Sequence, residues 1–269
     1  MSNWQTYREL IDVNAPALIA AAGLAIGASL LGVFVVLRRE GLLALALPQV
    51  VAVGAAVGLR MDWNFLPPAI AAAVIALLVT AWSRARRTSH LLLPALYIGG
   101  LSVSVLLIAN SAAHLHEVQH LLAGEDVFVS WQQAYLAAPT LIAAGVTAAV
   151  LWRRWLLLAQ SPTAARVAGL RPARWDALFL VLLAAAVVVG TSVSGILMVL
   201  ACLFLPAATV LPWAKRVPGA LITSVVASLI FLTGGFIMSI EMDWPLSQSV
   251  GGVGFAALII SHVAAAIFA

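Results

Sequence analysis

Nine apolar segments, each close to the length of a bilayer crossing, constrain this chain more than any other feature. A spanning helix needs about 20 mainly apolar residues, and lipid admits only structures whose backbone polar groups are satisfied internally. The segments are 15–37, 41–59, 66–82, 91–110, 134–152, 175–193, 194–213, 217–238 and 247–267. We therefore predict an all-α polytopic integral membrane protein, residues 1–269 forming a single transmembrane domain. The count is eight to nine, because the junction near Ser192 to Ser194 also fits one broken or re-entrant element.

The charge content agrees with a protein that lies mostly in lipid. Only 9% of residues are charged, whereas a soluble domain carries about 25%. The formal net charge is +4, and most of the basic residues lie in a few short loops, which is typical of membrane topology rather than of nucleic-acid binding. The single cysteine, Cys202, lies in an apolar run, which excludes a disulfide framework.

Basic and acidic loops alternate along the chain, and this alternation predicts its orientation. The basic loops follow the first, third, fifth and seventh segments, and they contain Arg38, Arg39, Arg84, Arg86, Arg87, Arg153, Arg154, Arg166, Arg171, Arg174, Lys215 and Arg216. Cytoplasmic loops of membrane proteins carry the excess of Lys and Arg. We predict a multi-pass protein of the cell (inner) membrane, with its N-terminus outside and its C-terminus in the cytoplasm. Residues 1–14 lack the pattern of a cleaved signal peptide, and we predict an interfacial segment there.

The external loop 111–133 contains the pentapeptide HEVQH at residues 116–120. It matches H-E-x-x-H, in which two histidines bind zinc and the glutamate acts as general base. A zinc protease also needs a third ligand and a buried site, but this motif lies outside every predicted span. Two other interpretations remain: the polar face of an external amphipathic helix, or a metal site at the mouth of a pathway. The candidate metal ligands are His114, His116, Glu117 and His120.

A cytoplasmic segment, 161–174, has the local signals of a short capped helix. Ser161 suits the N-cap, Pro162 suits the first helical position, and Gly169 is placed to end the helix about two turns later. A second local signal lies in FLPAAT, where Pro206 removes a backbone hydrogen bond in mid-span. Such breaks are tolerated where neighbours or a water-filled cavity satisfy the freed carbonyl.

Three segments in order resemble the permease subunits of zinc/manganese-type ABC importers. They are GVFVVLRREGLLALALPQVVAVGAAVGL, SPTAARVAGLRPARWD and SGILMVLACLFLPAATVLPWAKR, and a weaker match is GGFIMSIEMDWPLSQS. The resemblance implies that 161–174 is the segment that couples to an ATPase, with Ser161, Pro162, Ala165 and Gly169 in the family's positions. We assign Gln49, Ser194, Gly195, Pro206 and Thr209 to the translocation pathway. Members of the family commonly carry Asp and His early in the second span, where this chain has Leu45 and Gln49.

The resemblance predicts a permease that imports a divalent metal ion of the zinc or manganese class, or a small metal complex. The chain has no G-x-x-x-x-G-K-[ST] loop, so we expect a separate ATPase subunit, no enzymatic activity and no catalytic cofactor. The other expected partners are an extracytoplasmic metal-binding protein, a second permease copy and membrane lipid, without nucleic acid.

One alternative is an ion-coupled secondary transporter, which usually needs intramembrane carboxylates. The other is a membrane zinc metalloprotease using HEVQH. We expect no functional role for His90 or His262.

Overall fold

The computed structural model describes residues 3–61, 63–85, 89–109 and 129–268. Within these ranges every regular element is helical, as the apolar segments predict. The elements are α1 Asn3–Leu37, α2 Gly41–Arg60, α3 Leu66–Ala85, α4 Ser89–Ala109, α5 Trp131–Val150, α6 Trp152–Gln160, α7 Pro162–Val167, α8 Pro172–Val210, a 3-10 turn Leu211–Trp213, α9 Val217–Met242 and α10 Leu246–Phe268.

Helix α1 lies at the centre of the bundle, in contact with α5, α8 and α9. Its side chains Leu24, Leu31 and Phe34 are completely buried. Small residues allow the close approach: a Cβ built on Gly23 would lie 2.6 Å from Ala138 Cα of α5. Lipid provides no hydrophobic driving force between helices, so tight packing of small residues is what holds such a bundle together.

Helix α8 consists of two antiparallel arms, 172–194 and 196–210, joined at Gly195. That glycine has φ 74° and ψ 170°, a conformation that essentially only glycine adopts. A Cβ on Gly190 would lie 2.7 Å from Val199 Cγ2, although residues nine apart in a straight helix are separated by about 13 Å along its axis. The chain therefore reverses direction at Gly195.

Each of the nine predicted segments overlaps a described helix, and the segments 175–193 and 194–213 correspond to the two arms of α8. By length and composition alone, six described helices are able to cross a membrane, with α8 counted once. The apolar parts of α3 and α4 are shorter, Leu66–Trp82 and Leu92–Leu107.

The described ends of α1 and α3 lie with the starts of α2 and α8 at one end of the bundle, here called the base. Arg38 at the end of α1 forms an ion pair with Asp176 in the first turns of α8. Arg84 of α3 pairs with Glu40 at 2.5 Å. At the opposite end α9 terminates at Asp243, whose φ of 53° is left-handed. The orientation of these two ends in the membrane stays a prediction.

The two predicted boundary segments differ in how far they are described. Helix α1 continues without interruption from Asn3 through Pro16, so no break separates residues 3–14 from the first span. The interfacial placement of residues 1–14 stays a prediction. Most of the loop 111–133 lies outside the described residues. Its last part belongs to α5, because Ser130 caps that helix in a reciprocal capping box with Gln133.

Candidate functional site

The predicted coupling segment forms a short helix, α7, that is capped at both ends. The backbone N–H of Ala164 donates to Ser161 Oγ at 3.2 Å, and Pro162 occupies the first helical position. Gly169 is left-handed, with φ 79°. The N–H of Leu170 donates to the Ala165 carbonyl at 2.9 Å, which completes a Schellman motif. The local sequence signals therefore predicted this helix correctly.

One face of α7 is seated on the protein and the other is open. Ala165 is completely buried. Thr163, Ala164 and Arg166 are exposed, and Val167 is 91% exposed. The outer face of α7 is therefore open to solvent in the described structure.

Beneath α7 lies a group of five residues, here called the basal cluster: Arg38, Trp155, Trp175, Asp176 and Phe179. Trp155 of α6 is completely buried and meets the Trp175 ring edge-on, with centroids 5.5 Å apart. The Arg38 guanidinium lies 4.6 Å from the Phe179 ring centroid and pairs with Asp176. The cluster joins α1, α6 and α8.

The Arg38 side chain is only 6% exposed, so its charge needs compensation. Asp176 supplies one ion pair and the aromatic faces supply cation–π contacts. Removing one partner from a buried ion pair leaves an uncompensated charge, which is strongly destabilising. Sequence reasoning used Arg38 only as a topological charge and did not single out Trp155. The one available signal was the pair of tryptophans in WRRWLLL.

The residues assigned to the pathway do not form one cluster. Ser194 and Gly195 lie at the turn of α8, whereas Thr209 lies at the end of its second arm, about 21 Å away along a helix of this length. The Thr209 carbonyl accepts a hydrogen bond from Ser261 Oγ at 2.6 Å. Pro206, one turn before Thr209, is buried.

Gln49 and Leu45 face different neighbours. Gln49 is 6% exposed and packs against α4, where a Cβ on Gly100 would lie 3.0 Å from Gln49 Cβ. Its Oε1 accepts no hydrogen bond from the described residues. Leu45 instead lines an open groove of about 590 Å³ between α2, the second arm of α8 and α10.

This groove, here called the Leu45 groove, is almost entirely apolar. Its lining consists of Leu45, Leu197, Leu200, Ala201, Phe204, Leu205, Gln248, Gly251, Gly252 and Phe255. The only polar side chain in that set is an amide. A divalent cation prefers carboxylate, imidazole or thiolate ligands, and the lining offers none of them.

The candidate metal ligands His114, His116, Glu117 and His120 lie outside the described residues, so their geometry stays a prediction. Across the described part of the chain, no group of three or more His, Cys, Asp and Glu side chains is close enough to hold a metal. His262 is exposed, and its Nδ1 lies 3.1 Å from the Leu258 carbonyl of its own helix. The His90 side chain is outside the described set.

The described residues form a polytopic helical bundle with a short capped helix at its base. The ABC 3 transport family matches residues 11–266, and the chain belongs to that family.

Three individual proteins are similar to this chain over most of its length. The high-affinity zinc uptake system membrane protein ZnuB of Haemophilus influenzae is 23% identical over 246 residues, 90% of this chain and 93% of that protein. The manganese import system permease protein ScaB of Streptococcus parasanguinis is 26% identical over 234 residues, covering 84% and 82%. The structure of PsaBC from Streptococcus pneumoniae, solved with a Fab, has a TM-score of 0.81 at 19% identity, with 95% of each chain covered.

Proposed function

We propose that this protein is the membrane permease of an ABC importer whose cargo is a divalent metal of the zinc or manganese class, or a small complex of such a metal. Two relatives are named for zinc uptake and manganese import, which supports this class of cargo. The observation that carries the coupling role is α7, a capped helix seated by Ala165 with its outer face open. A separate ATPase binds that face, so the permease needs no nucleotide site of its own.

The contacts of the basal cluster connect α7, through α6, to the spanning helices α1 and α8. Helix α7 follows α6 after a single residue, and α6 carries the buried Trp155. Trp155 contacts Phe179 and Trp175 at the start of α8 and lies beneath Arg38 at the end of α1. When ATP closes the ATPase, a displacement of α7 tilts α1 and the first arm of α8 together. The permease makes no bonds in its cargo and provides alternating access.

The orientation and partners follow from this role. The base faces the cytoplasm, the N-terminus lies outside, and the C-terminus is cytoplasmic in the inner membrane. An extracytoplasmic metal-binding protein delivers cargo to the loop 111–133. Two permease copies form the pathway between them. The loop histidines His114, His116 and His120 receive the metal at its mouth.

The form of the cargo is a second question, and the Leu45 groove favours a metal complex over a bare ion. Its volume of about 590 Å³ is within the range of sites for small organic ligands, which are mostly apolar with a few polar groups. A hydrated cation finds no charged ligand there. A complex that keeps the metal in its own ligands needs none.

Docking of the ATPase is tested by changing the open face of α7 while leaving its seat intact. Val167→Glu places a charge on the most exposed apolar position of the coupling segment. We expect the ATPase to be lost when the tagged permease is purified in mild detergent and its partners are identified by mass spectrometry. The double change Ala165→Arg with Gly169→Arg, which removes the seat and the cap, has the same expected result.

The matched control is Met61→Glu, since Met61 is 51% exposed at the opposite end of α2. This variant keeps the ATPase. Retention of the ATPase and of metal uptake by Val167→Glu contradicts the proposed docking face. If no ATPase accompanies the unaltered protein either, the secondary transporter becomes the better interpretation.

A further inference from the structure

A groove of about 490 Å³ lies beside the coupling segment, lined by three arginines. Arg154 comes from α6, Arg171 precedes α8, and Arg174 lies in the first turn of α8. All three side chains are exposed. No ion pair with an acidic side chain forms at any of them among the described residues. This concentration of uncompensated positive charge differs from Arg38 and Arg84, each of which has a carboxylate partner.

The arginines surround a partly apolar floor. The Arg154 guanidinium lies 4.5 Å from the Trp175 ring centroid, which holds it over the groove by a cation–π contact. Leu178 forms the end of the groove nearest the membrane. Arginine guanidinium groups bind phosphate oxygens in a bidentate manner, so the arginine end suits a phosphate group.

The other end of the groove indicates where that phosphate comes from. Arg174, Leu178 and Val181 follow each other at helical spacing along one face of α8, and Leu178 and Val181 are 36% and 55% exposed. This face passes directly from the basic groove to the apolar surface of a span. A free phosphate would contact only the arginines and would leave the apolar face uncovered. A phospholipid contacts both, because its headgroup lies at the arginines and an acyl chain lies along the apolar face.

We propose that Arg154, Arg171 and Arg174 bind the phosphate of an anionic phospholipid, with its acyl chain along Leu178 and Val181. Basic pockets at the cytoplasmic ends of spans are known to take such headgroups. The binding does not depend on the proposed transport function. The bound lipid lies directly against Gly169 and Leu170, which end the coupling segment, and it therefore stabilises the position of α7.

The test uses the intact permease in detergent and native mass spectrometry, titrated with phosphatidylglycerol or with phosphatidylcholine of the same acyl chains. We expect one phosphatidylglycerol to bind tightly to each chain. Arg171→Gln with Arg174→Gln should weaken this binding about 30-fold, because each basic residue near an anionic lipid contributes a factor of about five. The matched control, Arg39→Gln with Arg153→Gln, removes two exposed charges outside the groove and should change binding less than about threefold.

Three results would overturn the proposal. Equal loss in both double variants means that the attraction is only diffuse. Displacement of the lipid by inorganic phosphate at equal concentration means that the groove is a site for soluble anions. Loss of a co-purifying ATPase in Arg171→Gln with Arg174→Gln, without loss of lipid, means that the groove contacts protein.

A second measurement needs no variant and so does not depend on the folding of one. The unaltered permease is placed in nanodiscs of phosphatidylglycerol or of phosphatidylcholine, and its backbone hydrogen exchange is followed. Slower exchange at residues 168–175 in phosphatidylglycerol is the expected result. Equal exchange in the two lipids would contradict the proposal.

Discussion

The base of the molecule and the Leu45 groove differ in how their side chains are held. In the basal cluster, charged and aromatic side chains contact specific partners, as in the ion pair of Arg38 with Asp176 and the contact of Trp155 with Trp175. The groove is lined by aliphatic and small residues and has a single amide side chain, that of Gln248. Ion pairs and ring contacts at the base keep neighbouring helices at fixed distances when one helix moves. The apolar lining of the groove has no groups that orient or bind a cation.

Under the proposed function, the two regions have different roles. The base transmits a displacement from α7 to α1 and α8, and the groove lets a cargo pass without binding its charge. The following changes test each side of this comparison.

Asp176→Asn should have the largest effect, because it leaves the Arg38 charge buried without its carboxylate. The loss of one partner from a buried pair costs about 3–5 kcal/mol, and the lower end applies here because the Asp176 side chain is 36% exposed. Thermal unfolding of the purified permease in detergent measures the loss. ATP-driven uptake should fall with it.

The control for that change is Glu40→Gln, which breaks the other ion pair at the base. This change leaves the Arg84 side chain without that ion pair. The Arg84 side chain is 29% exposed against 6% for Arg38, so the same measurement should show a smaller cost than Asp176→Asn. Arg38→Met combined with Asp176→Leu should recover most of the stability, since apolar replacement of a buried pair is often neutral. An Asp176→Asn protein as stable as the unaltered one would show that the basal cluster does not hold the helices together.

Gly195→Ala should have the second largest effect. A side chain at φ 74° and ψ 170° is strained by about 1–3 kcal/mol, and the strain falls on the turn between the arms of α8. The free energy of unfolding should drop by that amount. Gly251→Ala is the control, because nothing lies within 4 Å of a Cβ at this helical position; an equal loss there would contradict the reversal at Gly195.

Ser161→Ala removes the N-cap of α7 and should have a smaller, local effect. Loss of such a cap costs about 1 kcal/mol, which loosens the coupling segment without unfolding the bundle. Hydrogen exchange at 162–167 should quicken about fivefold, and the ATPase should bind more weakly by a similar factor. Thr163→Ala is the control, because its hydroxyl meets Ser161 Oγ at 2.8 Å without capping the backbone. Equal exchange in both variants would contradict the role of the cap.

The smallest expected effect concerns cargo. Leu45→Asp with Gln49→His places a carboxylate in the groove and an imidazole one turn further along α2. Both groups bind zinc and manganese, so uptake of free metal into cells should rise about twofold while uptake of a complexed metal falls. Leu197→Asp, in the same groove on α8, is the control for added charge alone. An unchanged cargo preference would separate the groove from the pathway.

The sequence predicted the parts of this protein that depend on neighbouring residues. The apolar segments predicted the helices, the alternation of charge predicted which loops meet at the base, and Ser161, Pro162 and Gly169 predicted α7 and both its caps. Ser130 was not recognised as an N-cap, although Gln133 three residues later completes the signature of a capping box. Helix α5 begins at Trp131, three residues before the apolar segment that the sequence predicted from residue 134.

The sequence did not predict how the residues assigned to the pathway pack against other helices. The structure places Gln49, Ser194, Gly195, Pro206 and Thr209 at the turn of α8, along its second arm and at the contact of α2 with α4. Their assignment to a pathway stays a prediction. Periodicity places a residue on a helix face. It does not say which helix lies opposite that face.

The sequence by itself determined the number of apolar segments, their order, the charged ends and the capped helix α7, because each follows from residues only a few positions apart. Only the tertiary structure decided that the chain reverses at Gly195, that Arg38 meets Asp176 at a separation of 138 residues, and that Leu45 faces a groove while Gln49 faces α4. These depend on which helices pack together, and in lipid that choice rests on the fit of small surfaces rather than on hydrophobicity. Two helix faces of similar apolar composition cannot be distinguished in the sequence. They differ only in the folded protein, where one face packs against another helix and the other does not.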